Sequence, residues 1–393
     1  MKYQLSDRVN AIQPSPTLAV SQKAAELLLA GHDVIGLGVG EPDFDTPEFV
    51  KQAAKAAIDA GKTKYTAVDG ILELKQAVIN KFKRDNGLDY SLSEILISSG
   101  GKHSIFNLLS AWLNPGDEVI IPAPYWVSYP DMVKLVGGEP VIVEAGIEQR
   151  YKITAAQLDA AITPKTRLLF LNSPSNPTGT AYTKAELSEL AEVLRKHPQV
   201  LIASDDMYEH ILWTEESFYN IAMVAPDLSN RIMLLSGVSK AYAMTGWRIG
   251  YAAGPKPLIA AMKKIQSQST SNAASISQYA ALAALEGDQS CIRTMVDAFK
   301  ERHDYLVNAL NQIPGMKCIA GDGTFYTFAN IEGLMAAKDC NSDIELCELM
   351  LNTANVALVP GTAFGAPGHC RFSFATDMAT LKEAVRRITD FAS

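Results

Sequence analysis

Lys240 is the residue whose type and setting first indicate chemistry. It lies just past a short apolar run, behind the small residues Gly237 and Ser239. An amine in crowded, apolar surroundings loses part of its preference for the charged form, so it can attack carbonyl groups. A lysine at a strand-to-helix corner can also be an ordinary surface residue. Arg248, eight residues later, favours the chemical interpretation because a guanidinium binds phosphate through two parallel hydrogen bonds.

A glycine pair provides a second candidate for anion binding. Gly100 and Gly101, followed by Lys102, come directly before the helical pattern of residues 104–112. Free backbone N–H groups at a helix N-terminus bind phosphate and similar anions. Residues 36–40 are also rich in glycine and look like a dinucleotide-binding loop. They continue into Glu-Pro-Asp rather than into a helix, so we reject a dinucleotide site there.

The elements that must position these residues follow an alternating pattern. Four near-continuous apolar runs, residues 118–122, 167–171, 200–203 and 231–235, predict strands buried on both faces. Helical patterns such as residues 184–194 lie between them, which predicts an α/β fold with right-handed crossovers. Ligands of such folds bind at the carboxyl ends of the strands. The segments expected there are Pro124 to Trp126, Asn172 to Pro177, Ser204 to Tyr208 and Ser236 to Lys240.

The pattern changes near Glu286, where we predict a domain boundary. The elements predicted beyond it are a long helix from Ser290 to about Gln312, short strands around Cys318 and over 325–329, and a last helix over 378–391. We expect the N-terminal arm to fold back onto this part of the chain. The predicted parts are an arm with part of the small domain (1–47), a large domain (48–286) and a small C-terminal domain (287–393).

The composition excludes several classes of protein. An apolar fraction of 48% and a charged fraction of 20% are typical of a folded globular chain and argue against disorder. A net charge of −8 argues against binding to nucleic acid or to an anionic membrane. We find no transmembrane run, no secretory leader and no CxxC pair among the five cysteines. These features predict a cytoplasmic protein, and no metal site is predicted.

The segment from Gly237 to Gly250 resembles the signature of class I and II aminotransferases, which are pyridoxal phosphate enzymes of fold type I. The resemblance covers essentially the whole chain and is strongest to the bacterial and archaeal aspartate aminotransferases of the Iβ type. It implies a large cofactor-binding domain with a mostly parallel seven-stranded sheet flanked by helices, and a smaller α+β domain. Six more motifs occur in the family's order: Gly40 to Pro47, Ser99 to Lys102, Pro124 to Tyr129, Asn172 to Gly179, Ser204 to Glu209 and Arg371 to Thr376.

The resemblance implies pyridoxal 5'-phosphate as the cofactor and assigns its contacts. Lys240 is expected to be the Schiff-base lysine and the proton shuttle of a ping-pong reaction. Asp205 is expected to keep the ring nitrogen protonated, while Tyr208 and Asn176 bond the phenolic oxygen and Trp126 stacks on the ring. The residues expected around the phosphate are Gly100, Gly101, Lys102, Ser239 and Arg248, with Tyr65 reaching over from the partner subunit of a homodimer.

One position departs from the family pattern. Many members have a serine three residues before the lysine as a phosphate ligand, but Gly237 stands there in this chain. Ser236 and Ser239 are the two candidates to replace that contact.

The resemblance also implies a dicarboxylic substrate. Arg371 is expected to bind the substrate's α-carboxylate, with Gly40, Trp126 and Asn176 beside it. Other aspartate enzymes bind the second carboxylate with an arginine of the neighbouring subunit, roughly where this chain has Ser267. In the branch that the chain resembles, a lysine takes over this role, and Lys102 has its position. L-aspartate and 2-oxoglutarate, giving oxaloacetate and L-glutamate, are therefore the expected substrates.

Several alternatives stay open. An aromatic, alanine or prephenate preference is possible on this fold, although Gln13 stands where a basic residue is associated with prephenate use. A pyridoxal-phosphate-dependent lyase or decarboxylase would use the same lysine. A non-catalytic relative would be expected to have lost Lys240, Asp205 or Arg371, and all three are present. A nicotinamide oxidoreductase is disfavoured because the dinucleotide loop is missing.

Overall fold

The computed structural model describes residues 3–14 and 16–393, which form two main groups of strands with helices around them. The strands are β1 (Ile35–Gly36), β2 (Ile95–Ser98), β3 (Glu118–Ala123), β4 (Glu139–Glu144), β5 (Thr166–Asn172), β6 (Leu201–Asp205), β7 (Ile232–Gly237), β8 (Gly250–Ala253), β9 (Lys317–Cys318), β10 (Tyr326–Asn330), β11 (Val356–Ala357), β12 (Val359–Pro360) and β13 (His369–Ser373).

The α-helices pack around these sheets. They are α1 (Asp7–Asn10), α2 (Pro16–Leu29), α3 (Glu48–Asp59), α4 (Leu72–Lys81), α5 (Gly101–Trp112), α6 (Tyr129–Leu135), α7 (Ala155–Ala161), α8 (Lys184–Arg195), α9 (Ile221–Val224), α10 (Lys256–Ser267), α11 (Ser275–Glu286), α12 (Ser290–Leu310), α13 (Glu332–Ala337), α14 (Asp343–Ala354) and α15 (Met378–Ala392). Thr183 shows how such a helix starts: its hydroxyl accepts the Glu186 N–H, and the Glu186 carboxylate accepts the Thr183 N–H.

The large sheet has seven strands in the order β2-β8-β7-β6-β5-β3-β4. The strands from β7 through β4 in this order pair in parallel, and β8 runs antiparallel to both of its neighbours. The four apolar runs of the sequence become β3, β5, β6 and β7, each with boundaries shifted by one or two residues. The predicted α/β fold with a mostly parallel seven-stranded sheet is therefore confirmed.

Helices cover both faces of this sheet and create a hydrophobic core on each side. Ile202 and Leu234 pack into one core, whereas Leu201 and Leu235 pack into the other. Successive residues of a strand point to opposite faces, so a strand between two helical layers must be apolar at nearly every position. This is why the central strands read as unbroken apolar runs rather than as alternating ones.

The C-terminal part has a four-stranded antiparallel sheet in the order β12-β13-β10-β9. The predicted long helix is α12, and the predicted last helix is α15. Near the N-terminus, β1 pairs in parallel with β11, so this part of the arm lies against the C-terminal elements. The domain limits at residues 47 and 286 stay a prediction. In the part of the chain that the structure describes, every helix is too short or too polar to cross a membrane.

Candidate active site

A cavity of about 420 Å³ opens beside the carboxyl ends of β3, β5, β6 and β7. The parallel register explains its position, because Asn172 pairs with Asp205 and Asp205 with Leu235 at the same edge of the sheet. Residues from β13 and from the 39–41 segment close the other side. The predicted site residues that line it are Gly40, Gly101, Lys102, Trp126, Asn176, Asp205, Tyr208, Ser239, Lys240, Arg248 and Arg371.

Lys240 supplies the amine of this cavity. Its Nζ donates a hydrogen bond to the carbonyl of Gly40. Burial lowers the pKa of Lys240 to about 8, and the positive charges of Arg371 and Arg248 act in the same direction. About a tenth of the amine is therefore uncharged at pH 7, in the form that nucleophilic attack and proton transfer require.

Asp205 is the last residue of β6 and supplies a buried carboxylate. Tyr129 Oη donates to its Oδ2 at 2.6 Å, and the backbone N–H of Met207 donates to its Oδ1 at 3.3 Å. Burial raises the pKa of Asp205 to about 6 although both hydrogen bonds favour the charged form. The carboxylate borders the cavity, so it can accept a further hydrogen bond from a bound ligand.

Arg371 on β13 is a buried cation, with 2% of its surface exposed. Its guanidinium donates to Asn176 Oδ1 at 2.9 Å and to the Gly38 carbonyl at 2.7 Å, and lies 4.3 Å from the ring centre of Tyr326. Its Nε is buried without a partner, and no carboxylate of the described residues forms an ion pair with it. A buried charge is costly unless it is paired, so this cavity favours an anionic ligand.

A second cationic group lies where α5 begins. Gly100, at φ 90°, packs so closely under Arg248 that an added Cβ would lie 2.3 Å from a guanidinium nitrogen. Lys102 is exposed at the cavity, with Nζ 4.9 Å from the Trp126 ring centre. The surrounding protein atoms remove part of the water around Lys102, and this desolvation and the charge of Arg248 lower its pKa. Two cations beside the free N–H groups of a helix N-terminus form an anion site.

The remaining predicted residues occupy defined positions. Tyr208 Oη lies 3.1 Å from Tyr326 Oη, and burial raises the pKa of Tyr208. The Asn176–Pro177 peptide is cis. Trp126 is half-buried and packs edge-on against Tyr129, with ring centres 5.3 Å apart.

Of the two serines considered for the phosphate, only Ser239 lines the cavity. Ser236 Oγ is directed elsewhere, towards Glu209 Oε1 at 3.3 Å. The backbone of Gly237 explains why no larger residue stands there, because an added Cβ would lie 2.9 Å from the Ile249 carbonyl.

Two predicted residues lie outside the cavity lining. Gly100 is beneath Arg248, where it shapes the turn before α5. Tyr65 is 92% exposed and belongs to a loop on the outside of the subunit. Its predicted contact requires a second subunit and stays a prediction.

Comparisons with known proteins identify the family. The family model "Aminotransferase class I and II" matches residues 32–388. The chain belongs to the class I and II aminotransferases. The aspartate/prephenate aminotransferase of Nitrosomonas europaea is 56% identical over 395 residues, covering 99% of this chain and 100% of that protein. The aspartate/prephenate aminotransferase of Cereibacter sphaeroides is 54% identical, covering 99% and 98%.

Solved aminotransferase structures have the same fold. The aspartate aminotransferase of Rhizobium meliloti superposes with a TM-score of 0.96 at 48% identity, covering 100% of this chain and 99% of that one. The Thermus thermophilus aspartate aminotransferase with maleate gives a TM-score of 0.93 at 42% identity, covering 99% and 100%. The predicted family is confirmed. The protein is a transferase that depends on pyridoxal 5'-phosphate, as class I aminotransferases are.

The residues of this aminotransferase fit that cofactor. The carboxylate of Asp205 has acceptor capacity at the cavity for a protonated ring nitrogen, and the amine of Lys240 has a lowered pKa suited to the cofactor's aldehyde. Arg248, which forms no ion pair with any residue that the structure describes, lies against the turn that starts α5, and its charge suits the phosphate. Each part of the cofactor therefore has a chemically matched group in the same cavity.

Several contacts in and beside the aminotransferase cavity were not predicted from the sequence. Tyr129 lies inside a motif that was recognised, but nothing in the sequence indicates that its hydroxyl bonds Asp205. Asn172, which the sequence places at a strand end, closes β5 in register with Asp205 and donates to the carbonyl of that residue at 2.9 Å, a contact that the sequence did not indicate. Tyr326 comes from β10 of the other sheet, and no local pattern connects it with Tyr208.

Proposed function

We propose that this aminotransferase moves the amino group between L-aspartate and 2-oxoglutarate, giving oxaloacetate and L-glutamate, by a ping-pong mechanism. The observation that carries the proposal is that one cavity contains two separate cationic centres without acidic partners among the described residues, Arg371 at one and Lys102 with Arg248 at the other. Two carboxylates of one substrate match Arg371 and Lys102, while Arg248 serves the phosphate.

The relatives support a dicarboxylic substrate. The Nitrosomonas and Cereibacter proteins are named for aspartate, and the Thermus structure is described with maleate, itself a four-carbon dicarboxylate. Lys102 is a compact charge at the edge of the cavity, which suits the distal carboxylate of a short substrate.

The chain's own residues then divide the reaction between them. Bound pyridoxal phosphate supplies an aldehyde carbon and an electron-withdrawing ring. Lys240 would hold the aldehyde carbon and Asp205 the ring nitrogen. Arg371 would bind the α-carboxylate and thereby orient the substrate Cα towards Lys240 Nζ. The uncharged form of Lys240 would take the Cα proton and deliver it to the former aldehyde carbon of the cofactor.

The 38–40 segment is proposed to act as the lid of this site. The Gly38 carbonyl accepts from Arg371 and the Gly40 carbonyl accepts from Lys240. Because the same two side chains serve the substrate, the position of this backbone segment is coupled to occupancy of the cavity. Closure of the segment would exclude water from the reacting atoms.

Prephenate is a second candidate for the amino acceptor. The names of both relatives above include it, and prephenate also has two carboxylates that could meet the two cationic centres. Gln13, exposed on the arm, is the sequence feature that disfavours it. Comparing turnover of prephenate with that of 2-oxoglutarate at equal concentrations separates the two assignments.

We also propose a homodimer in which Tyr65 reaches the partner's phosphate site, because an aromatic ring that is 92% exposed gains most from burial against another subunit. The arm, large-domain and small-domain limits given above belong to the same proposal. So does a cytoplasmic location, which the five free cysteines support.

Absorption spectroscopy of the purified protein tests the reaction directly. Aspartate should convert the visible band of the lysine-bound cofactor to the pyridoxamine form, and 2-oxoglutarate should restore it. The Lys240→Ala variant serves as the control and should show neither change. A band that aspartate leaves unchanged would refute the substrate, and a protein that binds no pyridoxal phosphate would refute the whole proposal.

A further inference from the structure

Gln266 on α10 is a completely buried amide, with 0% of its surface exposed, that lies outside the cavity. Its Nε2 donates to the Val68 carbonyl at 2.6 Å and to the Ile97 carbonyl at 2.8 Å. Its Oε1 accepts from Ser98 Oγ at 2.8 Å and from Asn107 Nδ2 at 2.9 Å. Both donors and both acceptor positions of this one amide are therefore used.

The partners of Gln266 belong to two different parts of the phosphate-binding machinery. Ser98 ends β2 directly before the turn to Gly100, and Asn107 is on α5, the helix whose N-terminus faces the phosphate. Val68 belongs to the loop that carries Tyr65. One side chain thus connects the phosphate turn of its own cavity with the loop proposed to serve a second subunit.

The loop after Tyr65 is otherwise firmly anchored. Asp69 forms ion pairs with Lys75 at 2.6 Å and with Lys263 at 2.8 Å. Gly70, at φ 103°, packs against Ile97 so tightly that an added Cβ would lie 2.4 Å from that side chain.

Gln278 anchors the same loop from α11. Its amide donates to Thr66 Oγ1 at 3.0 Å and accepts from the Ile71 N–H at 2.8 Å. The loop is therefore fixed at both ends while the Tyr65 ring projects outward. A rigid base under an exposed ring is the arrangement that a contact with another molecule requires.

We propose that Gln266 is a positioning residue that holds two segments of its own chain in a fixed relative position. One segment is the phosphate turn of its own site, and the other is the Tyr65 loop, which contributes to the partner's site. The inference rests on the proposed function, since it needs pyridoxal phosphate and a dimer. Gln266 touches neither the substrate nor the cofactor. It acts through Val68 on the Tyr65 loop, and through Ile97, Ser98 and Asn107 on the strand and helix that flank the phosphate turn.

The Gln266→Glu variant separates the two sides of this amide. A carboxylate keeps the acceptors for Ser98 and Asn107, but it places an oxygen against the carbonyls of Val68 and Ile97. The Tyr65 loop is held by Gln266 through Val68 alone and should shift, whereas the phosphate turn keeps the contacts of Ser98 and Asn107 and should be less affected. The main effect is therefore expected in the site of the other subunit.

Mixed dimers with one reporting site test this. Only a site with an intact Lys240 gives the visible band of the lysine-bound cofactor, so a chain carrying Lys240→Ala is silent. In the first dimer the silent chain also carries Gln266→Glu and its partner is wild type. In the second dimer Gln266→Glu is in the reporting chain. Titration with pyridoxal phosphate gives the dissociation constant of the reporting site in each.

The first dimer should bind the cofactor about tenfold more weakly than a dimer of wild-type and Lys240→Ala chains, as expected for loss of one hydrogen bond to the phosphate. In the second dimer the affinity of the reporting site for the cofactor should fall less than in the first. Adding Tyr65→Phe to the silent chain of the first dimer should cause no further loss, because both changes remove the same contact. Equal affinity of the first dimer and the reference would overturn the proposal, and so would an additive effect of Tyr65→Phe.

Two controls exclude a general loss of stability. Thr166→Val removes a fully buried hydroxyl at the end of β5 that is remote from the cavity, where it accepts a hydrogen bond from the Thr163 N–H at 2.9 Å. This variant should leave the affinity for the cofactor unchanged although its Tm falls about as much as that of Gln266→Glu. If Gln266→Glu does not fold, Gln266→Met in the silent chain replaces it with the same expected result. A reference dimer that fails to assemble or to bind the cofactor overturns the proposed function and this inference together.

Discussion

Replacing Asp205 with asparagine should make the apoprotein more stable at neutral pH while it removes most of the activity. The packing can be kept, because the asparagine Oδ1 can accept the Met207 N–H and its Nδ2 can donate to Tyr129 Oη. What disappears is a carboxylate that burial disfavours in its charged form. The variant therefore separates the contribution of this charge to folding from its contribution to function.

The size of the effect follows from the pKa of Asp205. Burial raises it from 3.8 to about 6, and each pKa unit corresponds to about 1.4 kcal/mol. As the pH rises between these values, the unfolded chain releases the proton while the folded chain retains it, so the free energy of unfolding falls. Above pH 6 the free energy of unfolding of the wild type is therefore lower by about 3 kcal/mol because of this carboxylate. The asparagine variant does not have this loss.

Urea unfolding of both apoproteins at one protein concentration measures this difference. The variant should be more stable by up to about 3 kcal/mol at pH 7, and the difference should nearly vanish at about pH 4. Activity with cofactor should fall by about a hundredfold or more, since removal of a buried charge partner is worth about 3–5 kcal/mol. A variant less stable than wild type at pH 7, or a difference independent of pH, would refute the reasoning.

Other residues in and beside the cavity lead to further predictions. Lys102→Ala should raise KM for aspartate and 2-oxoglutarate by about tenfold and change turnover of alanine or phenylalanine little; an equal loss for all substrates would restrict Lys102 to the phosphate. Attachment of pyridoxal phosphate to the apoprotein should accelerate up to about pH 8, where Lys240 loses its proton. Arg371→Gln should move that midpoint to higher pH, because the charge of Arg371 lowers the pKa of Lys240; an unchanged midpoint would contradict this. Tyr129→Phe keeps the stacking on Phe170 but removes a hydrogen bond to the Asp205 carboxylate, so the pKa of Asp205 should rise by about one unit. As the pH is lowered, the affinity for the cofactor should therefore begin to decline at a higher pH than in the wild type. Titrations with the cofactor at several pH values check this prediction.

The elements of the large sheet were predictable because burial on both faces leaves a plain signal. Residues 168–171 are all apolar, and the polar residues that follow such runs, Asp205 and Lys240 among them, could be assigned to one edge of the sheet. The chemistry of a strand end therefore follows from local sequence once the strands are known.

The partners of those residues were not predictable because they come from distant segments. Tyr129 meets Asp205 across 76 residues, and Tyr208 meets Tyr326 across 118 residues. Gln266 joins Val68 and Asn107 only because α10 packs against α5 and β2. A glutamine in a helix has no sequence feature that indicates a buried amide with four partners, so only the folded chain reveals it.

Buried charges in this protein fall into two kinds, and the difference concerns their partners. Lys81 is fully buried beneath the site, where it forms an ion pair with Glu209 and donates to Asn86 Oδ1 at 2.9 Å. The charge of Lys81 helps to keep the pKa of Glu209 low in spite of burial. Each charge of this pair has the other as its partner, so the pair can stabilise the loop after β6 without any ligand.

Arg371 is buried to a similar extent, but it has no carboxylate partner among residues 3–14 and 16–393, and its Nε has none of any kind. A folded chain retains such a charge only if its other contacts outweigh the penalty, or if a ligand removes it. The second case makes stability depend on the ligand: a dicarboxylate that pairs with Arg371 should raise the Tm of the protein, whereas it should not alter the exchange of amide protons around Lys81. Pairing, rather than burial, thus separates the charges that maintain the fold from those that bind the substrate.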